Sequence, residues 1–400
     1  MKKKLLGILL TAILVASTLT GCGSSSSTEG NGNADSSDAT DASNAEAPTD
    51  DIADTDVAEN AALENGTSLA TMKIGEIQSY YVDDGGWCQA MHTGILQSMN
   101  DLGIPEENLY KVECVDEDLA SVESAFESLV DEGVTVVVGC SSGYASFLSD
   151  LAPDYPEITI IQQGDQIANL VGIQIRGYEG MFLAGYASAL MSETGELGFA
   201  ASMNEASVRT AINAYALGAK YAKENATVQV VWADSWYDID IETQNALSLI
   251  NSGITYMGME ASSPAIPQTC EENGAYVVGY NVDMKESAPK AVLFSFMWNW
   301  TPIFTDIFKS IENGTVSPDD YYYLGGECSA LSDFNADLVP DDVQSAVTDA
   351  REKINSGDIV IYGGELKDDK GNILVEEDAV MADEDINLQD FFVENVKGAQ

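Results

Sequence analysis

Basic residues and histidine are scarce in this 400-residue sequence. It has 17 lysines and arginines against 66 aspartates and glutamates, for a formal net charge of -49. Such a surface repels phosphate backbones, so the composition excludes nucleic acid and favours a neutral or cationic small-molecule ligand. The one histidine, His92, precedes the G-x-S-x-G-like turn at 139–143. A hydrolase triad needs its histidine after the serine, so the sequence argues against that chemistry.

Cysteine is also sparse, and its spacing excludes several kinds of site. None of the six cysteines forms a C-x-x-C pair, so neither a disulfide framework nor a zinc site is predicted. Most of the other five are expected to be buried apolar residues, with one disulfide left open: Cys88, Cys114, Cys140, Cys270 and Cys328. Phosphate-binding, dinucleotide-binding and zinc-protease motifs are missing as well. We therefore predict no catalytic residue, cofactor or metal, and read Asp238, Asp240 and Glu242 as solvated acids leading a helix.

Long apolar runs are confined to the amino terminus. Three lysines precede the run at 5–19, which is short for a membrane span and typical of an export signal. The run ends in Leu19-Thr20-Gly21-Cys22, which resembles a bacterial lipobox, with Cys22 as the acylated residue. We predict a lipoprotein signal peptide over 1–22 and a disordered acidic linker over 23–71. An ordinary cleaved signal with an incidental Cys22 is the alternative.

The remaining sequence alternates short apolar runs with amphipathic ones, which predicts repeated βαβ units and an α/β fold. Length favours two lobes, each with a doubly wound parallel sheet. The predicted helices are 89–102, 119–131, 178–191, 207–224, 241–251, 264–272 and 301–312. In such sheets ligands lie beyond the carboxyl ends of the strands.

Candidate ligand-binding residues follow these strands. Asp84 and Trp87 follow the first strand, Trp236 lies in the corresponding loop of the second half, and Asp283 ends a later strand. One aromatic ring at the mouth of each lobe suits the stacking of a flat ligand. Ser141, Tyr144 and Trp298 complete the predicted set. The alternatives are helix capping for Asp84 and Asp283, turn chemistry for the serine loop, and core packing for the tryptophans.

Taken together, these motifs resemble the basic membrane protein (BMP) family of lipoproteins, the solute receptors of purine-nucleoside ABC importers. The resemblance covers residue 72 to the carboxyl end. Its matching stretches are DGGWCQAMHTG (84–94), YEGMFLAG (178–185), MSETGELGF (191–199), NAYALGAK (213–220), VWADSW (231–236), GYNVDM (279–284), WNWTP (298–302) and FVENVKG (392–398).

The resemblance implies a type I periplasmic-binding-protein fold, with a three-segment hinge near Arg176, Asn281 and Glu327. Lobe 1 is expected to comprise 72–176 and 282–327, and lobe 2 to comprise 177–281 and 328–400. Trp87 and Trp236 would correspond to the family's stacking aromatics, Asp84 to a polar contact and Asp283 to a carboxylate beside the hinge. Trp87-Cys88 and Trp298 depart from the Phe-Asn pair and lysine of many nucleoside-binding members. A free base such as adenine is therefore as credible as a nucleoside.

The predicted function is that of a receptor, lipid-anchored on the extracytoplasmic face of the cell membrane. It would capture a purine nucleoside or base between its lobes and deliver the ligand to ABC permease subunits. No covalent chemistry is needed. The alternatives are an envelope enzyme, and a sensor or surface adhesin of the same fold that binds another flat heterocycle or a sugar.

Overall fold

Two mainly parallel sheets form the frame of this protein in a computed structural model that describes residues 67–164 and 166–399. The predicted signal peptide, Cys22 and the linker up to residue 66 lie outside the described residues. Residues 69–71 form a 3₁₀ turn, and the amide of Thr67 donates to the carbonyl of Ile311. Residues 67–71, which the sequence assigned to the linker, therefore contact the folded lobe. None of the described helices is both long and apolar enough to cross a membrane.

The first sheet contains six parallel strands. Short β-branched runs such as Val-Val-Val-Gly suit strands that helices cover on both faces, and that run is buried throughout. In spatial order the strands are β2 (Leu109–Val112), β1 (Ile74–Ile77), β3 (Val136–Gly139), β4 (Thr159–Gln163), β5 (Val171–Ile175) and β11 (Tyr321–Leu324). This sheet and its helices form the first lobe.

The second sheet repeats the order of the first. Its first five strands again follow the 2-1-3-4-5 arrangement of a doubly wound sheet. They are β7 (Thr227–Trp232), β6 (Glu196–Ala201), β8 (Tyr256–Glu260), β9 (Tyr276–Gly279) and β10 (Val292–Trp298). At the edges, β15 (Val396–Lys397) pairs with β7 in parallel and β12 (Ser329–Leu331) pairs with β10 antiparallel. A separate hairpin pairs β13 (Leu366–Lys367) with β14 (Ile373–Val375).

The helices cover the faces of these sheets and lie close to their predicted positions. Asp118 caps the second helix by accepting from the amide of Ser121, which fixes its start at the predicted residue. The helices are α1 (Trp87–Leu102), α2 (Leu119–Asp131), α3 (Ala145–Leu151), α4 (Gly177–Met191), α5 (Ala206–Ala222), α6 (Ile239–Asn251), α7 (Ala265–Asn273), α8 (Thr301–Glu312), α9 (Asp341–Ser356) and α10 (Asp383–Asn387).

The described chain crosses between the sheets three times. It leaves the first sheet at Arg176, returns at Asn299 between β10 and α8, and crosses again near Glu327 between β11 and β12. The crossing expected near Asn281 therefore lies 18 residues later, and Val292–Trp298, assigned to lobe 1 by the sequence, is a strand of the second sheet. The apolar run of β10 is equally compatible with either sheet, and only its pairing with β9 fixes the lobe.

Charged side chains form contacts at two of the three crossings. The Arg176 guanidinium lies 2.8 Å from Asp383 and 4.9 Å from the ring centre of Tyr323. Glu179, at the start of α4, accepts from the amide of Gly326 at 2.7 Å, and Arg351 donates to the carbonyls of Gly326 and Ser329. Burial raises the pKa of Glu179 and lowers that of Arg351. Hydrogen bonds of Glu179 and Arg351, both in the second lobe, thus hold the backbone on either side of the third crossing.

Candidate ligand-binding site

Loops from the two lobes touch where the strands of both sheets end. A side-chain carbon at Gly86 would lie 2.8 Å from the carbonyl oxygen of Ser262, so only glycine fits there without a shift. Tyr80 of the first lobe stacks on Tyr237 of the second, with ring centres 5.7 Å apart and an interplanar angle of 29°. We call this region the interlobe junction. It lies at the edge of each sheet where the fold predicts a ligand.

Asp84 caps α1. Its Oδ1 accepts from the amides of Gly86 at 2.8 Å and Gln89 at 3.1 Å, and its Oδ2 accepts from the amide of Cys88 at 3.2 Å. The capping alternative therefore describes the observed geometry. A ligand contact by the same carboxylate stays a prediction.

Trp87 and Trp298 come together from opposite lobes. Their rings meet edge to face at 5.5 Å, and Trp300 lies against both, 5.7 Å from Trp87 and stacked 6.0 Å from Trp298. The Trp87 indole donates to the carbonyl of Cys140 at 2.7 Å, and that of Trp298 donates to Asn281 Oδ1 at 2.9 Å. We call Trp87, Trp298 and Trp300 the tryptophan cluster. Hydrogen bonds of the indole nitrogens fix the orientations of Trp87 and Trp298, whereas the indole nitrogen of Trp300 is buried without a partner among the described residues.

Trp236 lies at the outer rim of the junction. Its side chain is 46% exposed, and it precedes Tyr237, the residue that stacks on Tyr80. Asp234, at the start of this loop, has a left-handed backbone with φ 53°, so the chain turns sharply after β7. The structure thus places Trp236 near the interlobe contact with a ring that a ligand can reach. Stacking on a ligand stays a prediction.

Asn281 lies closer to the junction than the predicted Asp283. Asp283 is exposed and its Oδ1 accepts from the amide of Lys285, which is a local turn. Asn281 is 2% exposed, has φ 71°, and contacts Trp298 and, at 3.5 Å, the hydroxyl of Ser262. Sequence reasoning missed Asn281. The signal was available, because it is the first polar side chain after β9 and asparagine tolerates left-handed backbone.

The loop after β3 is held from within its own lobe. Ser141 donates to Glu117 and accepts from the amide of Gly143 at 3.4 Å. Tyr144 is fully buried and its hydroxyl donates to the carbonyl of Val115 at 2.8 Å. Burial raises the pKa of that phenol well above its usual range. Tyr144 belongs to the core beneath the loop, so in this arrangement its ring leaves no surface for the predicted ligand contact.

The histidine and the acidic run have structural roles. His92 Nδ1 lies 2.6 Å from Oε1 of the fully buried Glu76, whose Oε2 accepts from Gln78. Glu242 is not solvated as predicted. It is 1% exposed, accepts from the amide of Asp238 and the hydroxyl of Ser263, and burial raises its pKa. The fourth helical residue folds back onto the helix start, which the alternating acids do not reveal.

The thiols offer no reactive group at the junction. All five cysteines in the described part of the chain are free, and only Cys114 is exposed. Burial raises the pKa of Cys88, Cys270 and Cys328 to about 12 each, which disfavours thiolate formation. Among the described residues, no group of three or more histidine, cysteine or acidic side chains could hold a metal ion.

Two doubly wound lobes, joined by three crossings and meeting through aromatic and polar loops, form a type I periplasmic-binding fold. A solute-binding protein of an ABC transporter system from Conexibacter woesei has the same fold. It aligns with a TM-score of 0.63 and 17% identity, covering 72% of this chain and 97% of that one.

The chain belongs to the Bmp family. Residues 72–363 match the family described as ABC transporter substrate-binding protein PnrA-like. The purine-binding protein of Brucella abortus is 25% identical over 327 residues, which are 81% of this chain and 93% of that protein. A Haloferax volcanii protein, described as a candidate ABC transporter glucose-binding protein, is 27% identical over 245 residues. That match spans 60% of this chain and 62% of the relative.

Proposed function

We propose that this protein captures a purine base or nucleoside between its lobes and delivers it to an ABC importer. The observation that carries the proposal is the edge-to-face contact of Trp87 and Trp298 from opposite lobes. Their indole nitrogens donate hydrogen bonds to protein oxygens, so they are not available to a ligand. Opening the hinge would free a ring face on each lobe. Stacking on aromatic faces is worth about 1 to 3 kcal/mol per base.

One relative supports a purine as the ligand, and another supports a sugar as the alternative ligand. The Brucella relative is named for purine binding and is covered almost completely. The Haloferax relative is named for glucose, so a sugar is the second candidate ligand. A tryptophan-rich junction suits a flat heterocycle better than a hexose, because a purine offers a π-face on both sides.

The catalytic alternatives lack the groups they need. His92 is held by Glu76 inside the first lobe, and Ser141 is bonded to Glu117. With the buried thiols protonated, we expect binding without turnover of the ligand. A ligand sensor that works without a permease is the alternative to a transport receptor. A neighbouring gene set that encodes an ATPase and permeases would favour the transport receptor.

Anchoring through Cys22 on the extracytoplasmic face forms part of the proposal and rests on the Leu-Thr-Gly-Cys motif. Cys22→Ala should abolish lipid labelling and release the protein from membranes while ligand binding persists. Lipid labelling equal to wild type would show that the motif is not the anchor.

The ligand class is tested by thermal unfolding with adenine, guanine, their nucleosides, glucose and ribose. A ligand at 100 times its dissociation constant adds about 2.7 kcal/mol to stability, which gives a clear rise in Tm. We expect a rise with at least one purine and none with the free sugars. A rise with glucose or ribose and none with any purine would overturn the proposal.

A further inference from the structure

Glu260 is a carboxylate in an unusual place for a binding fold. It is the last residue of β8, a central strand of the second sheet, and is 7% exposed. Its Oε2 is buried without a hydrogen-bond partner among the described residues. A buried polar atom left unpaired costs about 1 to 3 kcal/mol, more for a charged group, so such an atom calls for an explanation.

The groups around Glu260 connect it to the interlobe junction. Burial, followed by the nearby Glu260 carboxyl, raises the pKa of the Tyr280 phenol well above its usual range. The rings of Tyr280 and Trp298 lie 6.0 Å apart, edge to face. Two residues beyond Glu260, Ser262 contacts Gly86 of the first lobe. The carboxyl is therefore adjacent to the residues that bring the lobes together.

Neighbouring strand ends show the same feature. Ala201, which ends β6, pairs with both Glu260 and Trp232 across the sheet. The hydroxyl of the next residue, Ser202, and the indole nitrogen of Trp232 are also buried without partners among the described residues. Three adjacent strands thus present unpaired polar atoms at or beside their carboxyl ends. Ligand-binding sites are expected at this edge of a doubly wound sheet.

We propose that Glu260 and Tyr280 form a subsite that reads the hydrogen-bond donors of the bound ligand. The carboxyl would accept from an exocyclic amino group of a flat heterocycle whose face lies near Trp298. A ligand without such a donor would leave the buried carboxyl unpaired and bind more weakly. This inference rests on the proposed function and adds the chemistry of one edge of the ligand.

Electrostatics of the pocket agree with this assignment. Burial raises the pKa of Glu260 to about 8, against the lowering effect of the Tyr280 hydroxyl, and exposed Glu205 adds a smaller rise. The two side chains that shift this pKa, Tyr280 and Glu205, are therefore neutral or negative. With that pKa the carboxyl keeps its proton at neutral pH, so the oxygen without the proton is the acceptor for a donor from the ligand.

The test measures dissociation constants of the full-length protein for adenine, guanine, hypoxanthine and unsubstituted purine. Glu260→Met keeps the length of the side chain and removes its acceptors. We expect it to weaken the amino-bearing adenine and guanine about tenfold, as loss of one such hydrogen bond implies. Hypoxanthine and purine, which lack an exocyclic amino group, should change by less than about threefold. Glu205→Met, beside the site but exposed, is the matched control.

The outcomes separate this inference from the proposed function. If wild-type protein binds no purine, both fail. If it binds purines and Glu260→Met weakens all four equally or none of them, the donor-reading role alone is overturned. Should Glu260→Met not fold, Tyr280→Phe removes only the neighbouring hydroxyl and must reduce the preference for amino-bearing purines. An unchanged preference in that variant would contradict the subsite.

Discussion

The two lobes share a strand order, but the buried glutamates in their sheet strands, Glu76 of β1 and Glu260 of β8, differ in their hydrogen bonding. In the first lobe, both oxygens of Glu76 have partners, His92 and Gln78. In the second lobe, Glu260 leaves one oxygen unpaired. The Asp84 carboxylate of the first lobe is likewise occupied by the start of its own helix. Lobes with the same topology can therefore have different roles in binding. On our proposals, the first lobe contributes side chains that are already held by hydrogen bonds, and the second lobe selects the ligand.

The largest effect is expected in the pH dependence of the free energy of unfolding, compared between wild type and Glu260→Gln. With its pKa raised to about 8, folded Glu260 keeps its proton while the unfolded side chain loses it near pH 4.5. Between these values the folded state binds more protons, so stability falls as pH rises and levels off above pH 8. Wild type should lose about 4 kcal/mol relative to Glu260→Gln between pH 5 and pH 8.5.

Urea unfolding of both proteins across this pH range measures the difference. Glu179 and Glu242, whose pKa values burial also raises, are present in both proteins and cancel. Glu205→Gln is the exposed control and should parallel wild type. Parallel curves for wild type and Glu260→Gln would show that the Glu260 carboxyl is not desolvated.

A smaller loss is expected when the first-lobe pair is broken. His92→Leu leaves the fully buried Glu76 with Gln78 as its remaining partner. Breaking a buried pair costs about 3 to 5 kcal/mol, and the partial exposure of His92 reduces this to roughly 2 to 3 kcal/mol. The free energy of unfolding at pH 7 measures the effect. Stability equal to wild type would contradict the view that the first lobe depends on this pair.

The repeated βαβ pattern predicted the α/β class because its apolar runs and amphipathic helices are local features. Helices α2 and α8 have the predicted bounds, since a cap and a clear apolar stripe define them. Strand β10 was assigned to the wrong lobe, because choosing a sheet requires tertiary pairing. Family membership likewise follows from motif order along the chain.

The candidate site was less predictable than the fold. The sequence identified Trp87 and Trp298 but not their contact, which depends on the late crossing at Asn299. The sequence favoured exposed Asp283 over buried Asn281, because a carboxylate is a strong hydrogen-bond acceptor. The burial of a loop residue cannot be predicted from its sequence neighbours. Glu260 was not among the predicted site residues. Its unpaired oxygen is a property of the packed structure.

The central claim is that a flat ring binds between indoles of opposite lobes, and calorimetric titration of wild type and three variants tests it most directly. Trp87→Ala and Trp298→Ala should each weaken adenine and guanine by a similar factor of about tenfold, because stacking depends on the ring face. Tyr221→Ala, which removes another exposed aromatic of the second lobe, serves as the control and should bind like wild type. Wild-type affinity for both purines in both folded tryptophan variants would contradict the account.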